Sequence, residues 1–189
     1  MKNRIILSAI ILLSLSTSIN AQIRSEVALG AKYLGKAPFL LFDREFPMAP
    51  ELGVGINCND KWYYGISSYF YAQKGIYDEH EWRARFTSLE LNFRRSFTIE
   101  QLPKVIPFIT AKPGIMLCSF STEDVTSTDS NSTLISTSIG VGLSYKITNK
   151  STVYLSPGFS RNVNKNKFFN FGQNGASSFV LDLGITYEF

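Results

Sequence analysis

"SFVLDLGITYEF" (residues 178–189) sets the frame for everything before it. Its odd positions, Phe179, Leu181, Leu183, Ile185, Tyr187 and Phe189, are all apolar. Between them Asp182, Gly184, Thr186 and Glu188 are polar or small, with Val180 the one apolar member. A repeat of two marks a strand with one apolar and one polar face, because successive side chains leave a pleated backbone on opposite sides. Terminal residues usually fray, so a strand this regular implies a partner that holds it. The stretch leaves open which face looks into the protein's interior, and the function turns on that.

Seven other segments alternate in the same way. They are "EVALGAKYLG" (26–35), "MAPELGVGIN" (48–57), "WYYGISSYFYAQ" (62–73), "TSLELNFR" (87–94), "VIPFITAKPGIMLC" (105–118), "LISTSIGVGLSYK" (134–146) and "TVYLSPGFS" (152–160). In the sixth strand Ile135, Ile139, Val141, Leu143 and Tyr145 oppose Ser136, Ser138, Gly140, Gly142 and Ser144. Several of these runs reach about 10 residues, where strands of soluble domains average about 5–6. No helical period competes with them after residue 22.

The connections have their own rhythm. "CNDK" (58–61), "TIEQLPK" (98–104) and "TNK" (148–150) are short. Residues 36–46, 74–84, 121–133 and 161–177 read as long polar or aromatic loops. Strict alternation of long and short puts every long loop at one end of an up-and-down barrel, with the short turns and both termini at the other.

The first residues, "MKNRIILSAIILLSLSTSINA" (1–21), carry Lys2 and Arg4, an apolar run and a small-residue end at Ala21, the pattern of a secretory signal peptide cut after Ala21. The run is shorter than the roughly 20 apolar residues that a spanning helix requires. The remaining 22–189 is one domain with 17 Lys and Arg against 15 Asp and Glu, which gives no reason to expect a nucleic-acid partner. Its two cysteines, Cys58 and Cys118, are expected at opposite ends and therefore unpaired.

Two architectures suit eight exported strands. A lipocalin-like carrier would turn the apolar face inward around a greasy ligand. A transmembrane barrel would turn it outward to lipid. The second is favoured by the many glycines and serines of the polar face, which suit a narrow interior. It is favoured too by aromatics near the short-turn ends (Trp62, Tyr64, Phe93, Tyr145, Tyr187, Phe189), where an interfacial girdle belongs. The fold expected is all-β: an eight-stranded antiparallel up-and-down transmembrane β-barrel. In lipid an unpaired edge is not tolerated, so the last strand must close on the first.

The terminal strand resembles those of Gram-negative outer-membrane proteins, in which a final aromatic is a recognition signal for the barrel-assembly machinery; Tyr187 and Phe189 match that signal. "YFYAQKG" (69–75), "TSLELNFRRSF" (87–97), "VIPFITAKPG" (105–114) and "SIGVGLSYKI" (138–147) together resemble the outer-membrane β-barrel family called PorT-like, within the wider group of small eight-stranded barrels. That family reads "YLEIP" where this chain has "SLELN" (88–92). The resemblance implies an outer-membrane location; the family has no single established activity, so no catalytic residues are carried over from it, and some of its members act in secretion-system assembly.

The polar face carries Glu26, Lys32, Glu51, Glu90, Arg94, Lys112, Asp182 and Glu188. Buried charges need partners, so these eight are expected to form ion pairs filling the lumen. Strand adjacency suggests Glu90 with Arg94 or Lys112, and Lys32 with Asp182. A conducting path is the alternative use of the same residues. His80, the single histidine, sits among acids in "DEHEW" (78–82). A lipid-modifying enzyme would need it beside Ser67 or Ser68, with Asp78 or Glu79 as the third group. No metal site or cofactor is expected. Phe39, Phe42, Phe168, Phe169 and Phe171 give apolar loop tips that suit contact with lipopolysaccharide or an envelope or surface protein, or packing of the loops on one another. The expected function is a structural or surface-interaction scaffold in outer-membrane lipid.

Overall fold

In a computed structural model of the chain, the described residues are 23–34, 48–59, 61–77, 80–122, 130–164 and 176–189. They form β1 (Ile23–Leu34), β2 (Met48–Cys58), β3 (Trp62–Tyr77), β4 (His80–Ser96), β5 (Val105–Thr122), β6 (Ser130–Lys146), β7 (Ser151–Asn164) and β8 (Ala176–Glu188). Each strand pairs antiparallel with the next, and β8 returns to β1 over Glu26↔Glu188 to Leu34↔Val180, closing the barrel. The terminal residue joins this seam: the Phe189 amide donates to the Ser25 carbonyl at 3.0 Å.

The register fixes the shape. From Arg24 the paired residues run through Asn57, Tyr63, Arg94, Thr110, Gly140, Gly158 and Val180, and return to β1 at Leu34. One circuit therefore climbs ten residues along β1. With a rise of about 3.3 Å per residue and strands about 4.8 Å apart, that stagger over eight strands corresponds to a tilt of about 40° and a backbone radius of about 8 Å. Such an interior has room for side chains and little else.

Three of the four long connections are shorter than the sequence suggests, the last of them because β7 runs to Asn164 and β8 begins at Ala176. Residues 74–77 and 80–84 belong to the β3–β4 hairpin, with Lys74↔Arg83 and Tyr77↔His80 paired, so that only 78–79 separate the strands. Likewise β5 runs on to Thr122 and β6 begins at Ser130. Backbone pairing continues past the point where the outward positions lose their apolar character, as at exposed Glu81 and Arg83. Composition marks the edge of the apolar band, whereas hydrogen bonding sets the end of the strand.

The faces are now assigned. Leu29, Leu52, Ile66, Leu91, Ile109, Val141, Leu155 and Ile185 all lie on the outside, between 43% and 61% exposed. Glu26, Lys32, Glu51, Glu90, Lys112 and Asp182 lie inside, buried. A carrier with an apolar interior facing a greasy ligand requires the reverse, so the lipocalin-like alternative falls. Close approach inside depends on glycine at a few points: a Cβ on Gly55 would sit 2.7 Å from the Tyr63 ring, which folds flat over β2 and β3 there.

Candidate functional site

The lumen is built in three layers, and each follows from the inward positions of the strands at one height. Nearest the short turns, the Arg94 guanidinium donates to both oxygens of Glu26 at 3.0 and 2.8 Å. The Asn57 amide donates to Glu26 and, at 2.9 Å, to Glu188, whose other oxygen meets Arg24 at 3.3 Å. Arg94 also lies 4.6 Å from the centre of the Tyr63 ring, so its positive charge is shared between a carboxylate and an aromatic face.

Above it, Lys32 Nζ reaches Glu90 at 2.7 Å, and Lys112 Nζ reaches both Glu51 and Asp182 at 2.8 Å. The five side chains are at most 5% exposed. Stripping water from such groups is expensive, and their attraction compensates only when geometry is close and the remaining valences find partners. One oxygen each of Glu51, Glu90 and Asp182 has no protein partner. A cavity of about 20 Å³ between these two layers is lined by Tyr63, Asn92, Arg94, Lys112 and Asp182 among others. A second of about 50 Å³ lies at the short-turn end beside Asn57, Ser144 and Glu188. Volumes of that size hold one or a few waters.

The outermost layer is apolar. Leu34, Ala49, Tyr69, Tyr71, Ala84, Phe86, Met116, Cys118, Leu134 and Val180 form one buried cluster inside the barrel. Tyr71 and Phe86 stack with ring centres 4.4 Å apart at 9°, and Tyr69 stacks on Tyr71 at 6.5 Å. Sequence reasoning missed this layer. Phe86 and Ala84 preceded the segment read as strand four, while Met116 and Leu134 were inward positions left out of the alternation. Extending the period of two outward from Ser88, Gly114 and Ser136 reaches all four.

All eight charged residues singled out in the sequence make ion pairs, but the pairings differ from those suggested by strand adjacency. Lys32 and Asp182 are register partners on β1 and β8, yet Lys32 bonds Glu90 on β4 and Asp182 bonds Lys112 on β5. Glu90 bonds neither Arg94 nor Lys112. At this radius a lysine crosses the lumen, so the opposite wall competes with the neighbouring strand and provides the straighter approach.

The hydroxyl–histidine pairing needed for lipid modification does not form. His80 opposes Tyr77 at the tip of the β3–β4 hairpin, nine residues along β3 from Ser68, roughly 30 Å of strand. Ser67 faces the lumen, and Ser68 donates to the Ser88 carbonyl at 2.7 Å. Asp78 and Glu79 lie outside the described residues, as do Phe39, Phe42, Phe168, Phe169 and Phe171. Among the described residues no cluster of three His, Cys, Asp or Glu suits a metal ion. Cys58 and Cys118 are buried free thiols. Tyr187 and Phe189 point outward, 43% and 70% exposed, with ring centres 5.0 Å apart.

No family model and no curated protein sequence matches the chain. Solved structures do match. Neisserial surface protein A aligns over 88% of this chain and 96% of its own at 20% identity, with a TM-score of 0.54. The fold is that of the small outer-membrane barrels. A major outer membrane protein of Thermus thermophilus covers 88% of this chain and 99% of its own at 11% identity and TM-score 0.60. Ail, the attachment invasion locus protein of Yersinia pestis, solved with the heparin analogue sucrose octasulfate, covers 90% and 100% at 10% identity and TM-score 0.54.

Proposed function

We propose that the chain is a bacterial outer-membrane protein of the PorT-like kind, exported by a signal peptide cut after Ala21. In this reading it is a non-catalytic scaffold with a plugged lumen that displays its long connections at the cell surface. The observation that carries this reading is the pairing of an apolar exterior with a charged interior. On β6 the outward apolar residues run from Ile135 to Tyr145, which at the barrel's tilt makes a band about 25 Å tall, the height of the hydrocarbon layer such barrels occupy. In water that exterior would be a large aggregation-prone surface; in lipid it is satisfied. The PorT-like assignment rests on the four motifs quoted above, and the role of Tyr187 and Phe189 as the assembly machinery's signal rests on the terminal aromatic. Lipopolysaccharide or an envelope or surface protein is the proposed contact of the aromatic connections.

The test is to fold the purified chain into phospholipid vesicles and compare boiled with unboiled samples by gel mobility. A heat-dependent shift in the vesicle fraction is the expected result, together with no stepwise conductance across a planar bilayer. A chain that remains soluble, or one that conducts, overturns the corresponding half of the proposal. Val141, outward and 61% exposed, is an independent probe. Val141→Arg is expected to lower the unfolding free energy in vesicles by about 2–4 kcal/mol, the cost of a cation near the bilayer midplane, whereas a solvent-facing position would register almost nothing.

A further inference from the structure

The outer wall of the β3–β4 hairpin changes character toward its tip. The register keeps its outward faces together: Phe70 opposes Thr87, Ala72 opposes Arg85, Lys74 opposes Arg83 and Ile76 opposes Glu81. Lower on the same faces Ile66, Phe70, Leu89 and Leu91 are apolar and exposed. Beyond them Lys74, Arg83 and Arg85 are exposed as well. Lys74 and Arg83 are direct cross-strand neighbours and Arg85 is the diagonal one, an arrangement in which like charges repel. Glu81 meets Arg83 at 3.7 Å, but both side chains are about half exposed, so water weakens that pair. On the β5 side Arg85 opposes Ser119 and Arg83 opposes Ser121, which brings two hydroxyls to the same outer face.

The height of this cluster shows what it meets. On β6 the outward apolar run ends at Ile135, which pairs with Ile115, which in turn pairs with Leu89. At a tilt of about 40° each residue climbs about 2.5 Å, and each step to the next strand climbs about 3 Å. Arg85, Lys74 and Arg83 then stand roughly 4, 6 and 9 Å above Ile135. The polar layer of a bilayer adds about 5–8 Å on each side of its hydrocarbon. The three cations therefore face outward at the level of lipid phosphates, on the side of the long connections. Arginine holds a phosphate through paired N–H donors, and neighbouring serine hydroxyls can donate to its remaining oxygens. Lipid A, the membrane anchor of lipopolysaccharide, carries a phosphate at each end of a disaccharide, which suits three cations spread over two strands.

We infer that Lys74, Arg83 and Arg85 form a binding site on the outer wall of the barrel for the phosphates of lipid A in the surrounding leaflet. This rests on the membrane reading above and assigns its lipopolysaccharide contact to wall residues of β3 and β4. The chain is folded in micelles of a neutral detergent, offered equal amounts of diphosphorylated and dephosphorylated lipid A, and weighed intact by native mass spectrometry. The ratio of the two lipid adducts is the readout. The phosphorylated lipid is expected to be preferred on the order of tenfold. Lys74→Gln/Arg83→Gln/Arg85→Gln, which changes exposed positions alone, should bring the ratio near one while keeping the heat-dependent gel shift. Glu81→Gln should raise the ratio, because it removes the carboxylate that competes for Arg83. Arg95→Gln, outward at the other end of β4 beside Trp62, should leave it unchanged. Equal adducts on a native chain that shows the gel shift overturn this inference and leave the barrel reading standing. A preference that survives the triple substitution, or that falls as far in Arg95→Gln, also overturns it. A chain that stays soluble without detergent and shows no shift overturns both.

Discussion

Lys112→Met should cost about 3–5 kcal/mol of unfolding free energy in vesicles, more than removal of any surface cation. Lys112 is the single donor shared by Glu51 and Asp182, at 2.8 Å from each, and all three side chains are at most 5% exposed. Its loss leaves two carboxylates buried near one another without the cation that bonds them, the situation in which breaking a buried pair is strongly destabilising. Lys32→Met should cost less, because it orphans Glu90 alone. The diagnostic variant is Lys112→Met combined with Glu51→Gln and Asp182→Asn. Removing the whole charged set replaces ions with groups that cost less to bury, so most of the lost stability should return. Urea titration of the four proteins in the same vesicles checks this. If the triple substitution is as unstable as Lys112→Met alone, the lysine acts through packing rather than charge. Lys61→Gln, exposed at the other boundary, should change stability by no more than a few tenths of a kcal/mol.

The contrast between those layers shows what was legible in the sequence. Alternation read from residues 178–189 and seven other segments gave the strands, the number of them and the faces, because a period of two is imposed by the backbone and survives any tertiary context. The short turns were equally plain: β2 ends at Cys58 and β3 starts at Trp62, as "CNDK" implies. Which lysine meets which acid was not legible. Adjacency in a sheet is a local rule, whereas Lys32–Glu90 and Arg94–Glu26 cross the interior between β1 and β4, and only the ten-residue stagger of the closed barrel brings those positions to one height. The upper reach of β3 to β6 was hidden for a different reason. There the outward residues Glu81, Arg83 and Arg85 are exposed and charged, and the inward ones are Ala84 and Phe86, so the polarity of the two faces inverts while the period persists. Scanning for apolar-out alone stops where the inversion begins.

That inversion predicts the behaviour of Phe86→Ala. Phe86 is 4% exposed and stacked against Tyr71 at 4.4 Å, inside a layer that includes Met116, Leu134 and Val180. An inward aromatic in a polar, water-filled pore would be dispensable. One packed in a dry interior is not, because its removal forfeits both the transfer of the ring and the contacts around the void, in the range of about 3–5 kcal/mol for a large aromatic. Phe86→Ala should therefore rank with Lys112→Met in a urea titration, and Phe86→Leu should recover more than half of the difference by refilling the space. Conductance should follow a different rule. The apolar layer and the Lys32–Glu90 and Lys112–Asp182 layer lie in series along one narrow bore, so Phe86→Ala opens the outer part of the lumen while the ion pairs below still occupy the rest. The expected record is a destabilised barrel with no new conductance. Current through Phe86→Ala alone would place the seal in the aromatic layer and make the charged layer permeable.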